Sequence, residues 1–246
     1  MMHPELDNAL QERRALKIIS GLTNFDAGNV SAIAKAAQAG GATFVDIAAS
    51  PSLVRQVRSL TNLPICVSAV EAQLLADAVE AGADLVEIGN FDAFYAQGRR
   101  FEAPEVLQLT EKTRALLPNT TLCVTVPHIL PLDEQVALAE KLVEAGANLI
   151  QTEGGTGSNP NHSGTLGLIE KAAPTLAAAH SISRAVSVPV ICASGLSTVT
   201  APMAITAGAS GVGVGSAINK LNDEVAMVAA VRSLVESLQS SVKVNL

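Results

Sequence analysis

Five ionisable residues stand where an apolar strand, or the turn that leaves it, would be expected to carry none. Lys17 lies inside Leu16-Lys-Ile-Ile-Ser-Gly21, Asp46 inside Phe44-Val-Asp-Ile-Ala48 and Glu87 inside Leu85-Val-Glu-Ile-Gly89. A charge in such a run is costly unless it is paired or used. A buried lysine offers a Schiff-base amine or a clamp for an anion. Burial pushes a carboxylate pKa up toward general acid–base work. The competing readings are an ion pair of Lys17 with the carboxylates, or a Lys17 that faces solvent at the start of its strand. His128 follows Val124-Thr-Val-Pro127, and an imidazole titrates near neutrality. Glu153 directly precedes Gly154-Gly155. Their alternatives are an ordinary loop histidine and a carboxylate that ties down a glycine loop. His162, deeper in that loop, is a weaker candidate.

Two further segments point to an anion. Val188-Pro-Val-Ile-Cys-Ala-Ser-Gly195 and Gly208-Ala-Ser-Gly-Val-Gly-Val-Gly-Ser216 are each a short strand running into small residues. Backbone N–H groups approach a phosphate closely only where side chains are absent, and a following helix N-terminus adds a favourable dipole. Ser194, Gly195, Gly215 and Ser216 are the expected phosphate ligands, with Gly154 and Gly155 covering them. The spacing Gly211-x-Gly-x-Gly215 lacks the GxGxxG of a dinucleotide site and has no βαβ unit after it. The plainer reading is that these glycines permit tight strand–helix packing.

The elements that must position these residues follow from a repeated phrase. Gln38-Ala-Gly-Gly-Ala42, Glu80-Ala-Gly-Ala83, Glu144-Ala-Gly-Ala147 and Thr206-Ala-Gly-Ala209 each end an amphipathic helix and open an apolar run. Glycine ends the helix, and the run is a strand buried on both faces. Helix, glycine and strand in repetition predict a parallel α/β architecture. Eight strands are expected near 16–20, 43–47, 64–67, 85–88, 122–126, 149–151, 190–193 and 211–214. Helices are expected near 5–14, 29–39, 71–81, 103–117, 133–145, 165–186, 197–207 and 222–239, with Asp133 as an N-cap. Glu71 and Asp84 fall outside the strand exits, at a helix start and a strand start. The prediction is a single (β/α)8 barrel over 1–246, with an extra N-terminal helix over its bottom. Loops after strands seven and eight are the usual phosphate site of that fold. The loop 152–164 is long, polar and glycine-rich, which suits a lid or binding loop.

Composition narrows the function classes. The 246 residues match one such barrel. Hydrophobic residues are 48% and charged ones 16%, enough for a large core built mainly from Ala and Val. The net charge of −7 without a basic stripe argues against nucleic acid. No apolar run is long enough for a membrane helix, and Met-Met-His-Pro-Glu-Leu-Asp is not a secretory leader. Cys66, Cys123 and Cys192 have no metal or disulfide spacing and read as core thiols. No metal site is expected, although Asp46 and Glu87 are the pair that would hold a divalent ion.

With these phrases in hand, the chain resembles the conserved chloroplast reading frame twenty-three family of cyanobacteria and algal plastids. The resemblance rests on Leu16-Lys-Ile-Ile-Ser-Gly-Leu-Thr-Asn-Phe25, Val45-Asp-Ile-Ala-Ala49, Pro64-Ile-Cys-Val-Ser68, Val86-Glu-Ile-Gly-Asn90 and Ile150-Gln-Thr-Glu-Gly-Gly155. It implies a barrel in a cyanobacterial cytosol or plastid stroma, and no particular reaction. The chain is more widely similar to phosphate-binding barrels such as indole-glycerol-phosphate synthase, thiazole synthase and the tryptophan synthase α chain. The last of these supports Glu87 by analogy. The chain departs from indole-glycerol-phosphate synthase at strand three, where Cys66, Val67 and Ser68 stand in place of a catalytic lysine.

Three functions compete. The first is a lyase, aldolase-like synthase or isomerase on a small phosphorylated metabolite. Asp46, Glu87 and His128 would move protons, Lys17 would hold or covalently trap a carbonyl, and Glu153 is a further catalytic candidate. The second is an FMN-binding oxidoreductase, since Gly154-Gly-Thr-Gly157 resembles flavin glycine loops; aromatics at 2% leave few rings to flank the cofactor. The third is a non-catalytic metabolite sensor. A homo-oligomer is compatible with all three.

Overall fold

Eight parallel strands close into a barrel in sequence order, β1-β2-β3-β4-β5-β6-β7-β8. The computed structural model describes residues 2–95, 97–155 and 160–242. The elements in chain order are α1 (Pro4–Gln11), β1 (Ala15–Gly21), α2 (Ala27–Gly40), β2 (Phe44–Ala48), α3 (Pro51–Arg58), β3 (Ile65–Ala69), α4 (Ala72–Glu80), β4 (Leu85–Ile88), α5 (Asp92–Tyr95), α6 (Ala103–Leu116), β5 (Thr121–Thr125), α7 (Leu132–Glu144), β6 (Leu149–Gln151), α8 (Gly164–Ala185), β7 (Val190–Ala193), α9 (Ala201–Ala207), β8 (Gly211–Val214), α10 (Ser216–Asn219) and α11 (Glu224–Val242). The fold is a (β/α)8 barrel with an extra N-terminal helix, as the count of eight strands predicts. Gly41 and Gly146 show why the phrase needs glycine: both follow a helix end and hold positive φ, 86° and 98°.

Four local expectations need correction. The segment after β2 forms α3, with Pro51 in its first turn and Leu53, Val54 and Val57 buried. Its eight residues are too few for a clear periodic pattern. Two single-turn helices, α5 and α10, were equally silent in the sequence. The N-cap of α7 is Pro131, and Asp133 lies within the first turn. There its charge still suits the helix dipole.

Side chains alternate along each strand, and the alternation sorts the core into layers. Outward positions such as Val45, Ile47, Val67, Val86, Val124 and Ile150 pack beneath the helices. Inward positions at the bottom of the barrel are apolar. Phe44, Cys66, Leu85, Cys123, Leu149 and Ile191 meet Leu6, Ala9 and Leu10 of α1, which plugs that end. Two residues further along β1 to β6, the inward layer turns polar, with Lys17, Asp46, Ser68, Glu87, Thr125 and Gln151 all buried. Strand β8 contributes only glycine to the interior. A Cβ on Gly211 would sit 2.7 Å from that of Ala15, and one on Gly213 would sit 2.9 Å from that of Ala193. The first role of these two glycines is therefore to let the strands close.

Candidate active site at the barrel mouth

The C-terminal ends of the strands surround a cavity of about 370 Å³. One side is built by the turns after β7 and β8, where Ser194, Gly195, Gly215 and Ser216 line it together with Asn219 and Lys220. Ser194 and Gly195 both hold positive φ, 84° and 71°, so the chain turns sharply as it leaves β7. A serine pays strain in that region that glycine does not. Ser194 Oγ is buried without a hydrogen-bond partner among the described residues. Asn219 Nδ2 donates to the carbonyls of Ile19 and Ser20, each at 3.0 Å, which ties α10 to the end of β1. α10 has only four residues, too short for a strong dipole. The positive charge at this rim is the Lys220 ammonium instead.

The turns after β4, β5 and β6 bring Asp92, His128 and Glu153 together. His128 Nδ1 lies 3.0 Å from Glu153 Oε2 and 3.4 Å from Asp92 Oδ1. Glu153 is buried and held from three sides. The Asp92 N–H donates to Oε1 at 2.9 Å, and the Tyr95 hydroxyl and the His128 N–H donate to Oε2 at 3.2 and 3.4 Å. Burial raises the Glu153 pKa, with the His128 hydrogen bond opposing it. Desolvation alone would lower His128, but Glu153 and Asp92 outweigh it and hold the imidazole above its ordinary value. Asp92 and Glu153 line the cavity. Strand β4 stands opposite β8 in the ring, so Asp92 and Ser216 face each other across the mouth.

Lys17, Asp46 and Glu87 come together, but not in the mouth. All three are sealed in the polar layer beneath it, at 1%, 0% and 0% exposure. Lys17 Nζ makes a close ion pair with Glu87 and lies 3.5 Å from Asp46 Oδ2. Ser68 donates to Asp46 Oδ1 at 2.6 Å. Gln151 joins this layer to the cavity floor. Its Nε2 donates to Glu87 Oε1 at 2.8 Å and to Thr125 Oγ1 at 3.1 Å, and its Oε1 accepts from Lys17. Gln151 and Thr125 both line the cavity above. Burial pulls Lys17 toward neutrality, yet the two carboxylates win and its pKa rises. Burial raises Asp46 to about 6, with Lys17 opposing and Glu87 reinforcing the shift. The strand register thus sets these three candidates below the cavity, where none of them lines it. The solvent-facing reading of Lys17 fails for the same reason.

Gly154 and Gly155 do not line the cavity. A Cβ on Gly154 would meet Thr175 of α8 at 3.0 Å, and one on Gly155 would meet His128 Nε2 at 2.9 Å. They let the loop pack closely against α8 and the imidazole. The middle of that loop, 156–159, lies outside the described residues, and so does the lid expectation that includes it. His162 is exposed and pairs with Glu170. The three cysteines are buried, and burial raises each thiol, Cys192 to about 11. None of the described cavity-lining residues is aromatic. No helix among the described residues is long and apolar enough to cross a membrane.

Sequence reasoning missed Asp92, Gln151, Thr125, Asn219 and Lys220. Gln151 and Thr125 were legible from the period of two, since each lies two residues beyond an inward apolar position. Asp92 opens one single-turn helix and Lys220 caps the other, and turns that short leave no periodic signal.

Comparison with known proteins then places the chain. Residues 1–244 match the family model described as a protein of unknown function, DUF561. The chain belongs to this family. Relatives of the chain described as uncharacterized protein ycf23 include one from Cyanophora paradoxa, 45% identical over 92% of this chain and 93% of its own. Another, from Pyropia yezoensis, is 41% identical over 88% and 80%. Among solved structures, 3-hexulose-6-phosphate synthase aligns with a TM-score of 0.64 at 19% identity, over 91% of this chain and 99% of its own. The thiamine phosphate pyrophosphorylase from Pyrococcus furiosus aligns at 0.61 and 20%, over 94% and 98%. At these identities the likeness is one of fold.

Proposed function

We propose that the chain binds a small phosphorylated metabolite in the barrel mouth and acts on it as a lyase, aldolase-like synthase or isomerase. One observation carries the reading. One cavity joins the turns after β7 and β8, with Lys220 and a Ser194 hydroxyl that has no partner among the described residues, to the carboxylates of Glu153 and Asp92. Ser194, Gly195, Gly215, Ser216 and Lys220 hold the phosphate. That remote grip orients the reacting end toward the opposite side. There the His128 imidazolium, held by Glu153 and Asp92, meets the charge that develops on a substrate oxygen. Lys17, Asp46 and Glu87 act as positioning residues, fixing Gln151 and Thr125 in the floor. A lysine held as an ammonium by two carboxylates is a poor nucleophile, which speaks against a Schiff base at Lys17 in this state. The neighbours of the same fold whose names include phosphorylated compounds support the substrate class. The algal relatives support a plastid stroma or cyanobacterial cytosol as the compartment.

The test is intact mass spectrometry of the protein purified without added phosphate, followed by release of any ligand under denaturing conditions. A phosphorylated metabolite retained by the native chain, and lost on Ser194→Ala together with Lys220→Ala, is the expected result. A released flavin would transfer the proposal to the oxidoreductase alternative.

A further inference from the structure

We infer that Asp92, His128 and Glu153 together bind a divalent cation that faces the cavity. The proposed function supplies the role of that cation, which is to polarise a substrate oxygen, but the site itself stands on its own geometry.

The three candidate ligand atoms all lie within 4.8 Å of one another. Two edges of the triangle are Nδ1 to Oε2 at 3.0 Å and Nδ1 to Oδ1 at 3.4 Å. Around a metal with bonds of about 2.1 Å, neighbouring ligands are about 3.0 Å apart in an octahedron and about 3.4 Å apart in a tetrahedron. The observed edges fall on those values. One imidazole and two carboxylates also suit a first-row cation better than calcium, which favours oxygen ligands alone.

The surroundings hold the ligands as a metal site requires. Backbone N–H groups of Asp92 and His128 and the Tyr95 hydroxyl all donate to Glu153 and fix its carboxylate. Outer hydrogen bonds of this kind orient ligands and strengthen binding. The Tyr95 ring stands edge-on to the imidazole, with centroids 5.1 Å apart. Gly155 lies against Nε2, where any side chain would displace the ring. Three ligands from the protein leave coordination positions for water and substrate, as in catalytic rather than structural sites. Asp92 and Glu153 line the cavity, so those positions open toward it. The competing occupant is a proton on His128 bridging the two carboxylates.

The experiment is a Mn2+ titration of the full chain after dialysis against chelator, read by electron paramagnetic resonance, with inorganic phosphate titrated in parallel. We expect one Mn2+ per chain, bound at least tenfold more weakly by both Asp92→Asn and His128→Gln, and unchanged by the exposed variant Lys112→Ala. Circular dichroism identifies a variant that fails to fold, and the other then decides. No saturable Mn2+ binding, or equal binding by the wild type and the folded variants, overturns the site. Phosphate bound without Mn2+ removes the cation and leaves the proposed function. Mn2+ bound without phosphate does the reverse.

Discussion

Gln151 Oε1 accepts a hydrogen bond from Lys17 Nζ at 3.0 Å, and this contact joins the sealed charge cluster of the barrel to the floor of its cavity. The same amide donates to Glu87. A substrate resting on Gln151 therefore feels a side chain that cannot rotate without breaking bonds to both charges. This is how buried residues can shape a site they do not touch.

Lys17→Met should destabilise the fold by about 3–5 kcal/mol. It leaves two carboxylates buried in one layer with no cation between them. Urea unfolding monitored by circular dichroism measures the loss. A change below about 1 kcal/mol would mean that the layer is less tightly sealed than the ion pair implies.

Asp46→Asn should act with the opposite sign at neutral pH. Burial raises the Asp46 pKa to about 6 from an ordinary 3.8. The folded chain then holds this proton over a range where the unfolded chain has lost it. The contribution of Asp46 is full below pH 4 and declines as pH rises through about 6. Asparagine removes that dependence and still accepts from Ser68. The variant should thus gain on the wild type by up to about 3 kcal/mol between pH 4 and pH 7. Parallel unfolding curves across that window test it, and a gap that narrows as pH rises contradicts the assignment.

Ser194→Gly separates strain from binding. Its φ of 84° suits glycine, so the variant should match or exceed wild-type stability by up to about 1 kcal/mol. It should also bind inorganic phosphate about five- to tenfold more weakly, the worth of one hydrogen bond. Thermal unfolding with and without phosphate reads both effects, and unchanged affinity would remove the hydroxyl from the site.

Gly213→Ala should cost about 1–3 kcal/mol through overpacking. The new methyl would lie 2.9 Å from Ala193 Cβ and 3.0 Å from Ile19 Cδ1, and Ala193 sits on a neighbouring strand with no freedom to yield. Chemical denaturation measures it. A neutral outcome would show that β8 closes the barrel more loosely than these distances imply.

The barrel was legible because its signal repeats. Each helix-ending glycine marks one unit, and the eight apolar runs fall within a residue or two of the strands. The clustering of Lys17, Asp46 and Glu87 was legible as three anomalous charges, since a lone charge in a buried strand demands a partner. Their depth was not. The inward or outward sense of a residue depends on where the strand meets its neighbours, and Lys17 pairs with Phe44 while Glu87 pairs with Ser68. Register of that kind is a property of the closed ring. The Asp92–His128–Glu153 cluster was hidden for a related reason. Its members leave three different strands, and Asp92 lies on a turn of four residues with no periodicity to betray it.

The central claim is that the turns after β7 and β8 grip a phosphate, and calorimetric titration of the full chain with inorganic phosphate and glycerol phosphate tests it most directly. One saturable site is expected in the wild type, weakened about tenfold or more by Lys220→Ala as a charge-assisted contact is lost. The exposed variant Lys112→Ala should bind like the wild type. Absence of saturable binding, or equal affinity in wild type and Lys220→Ala, would contradict the claim.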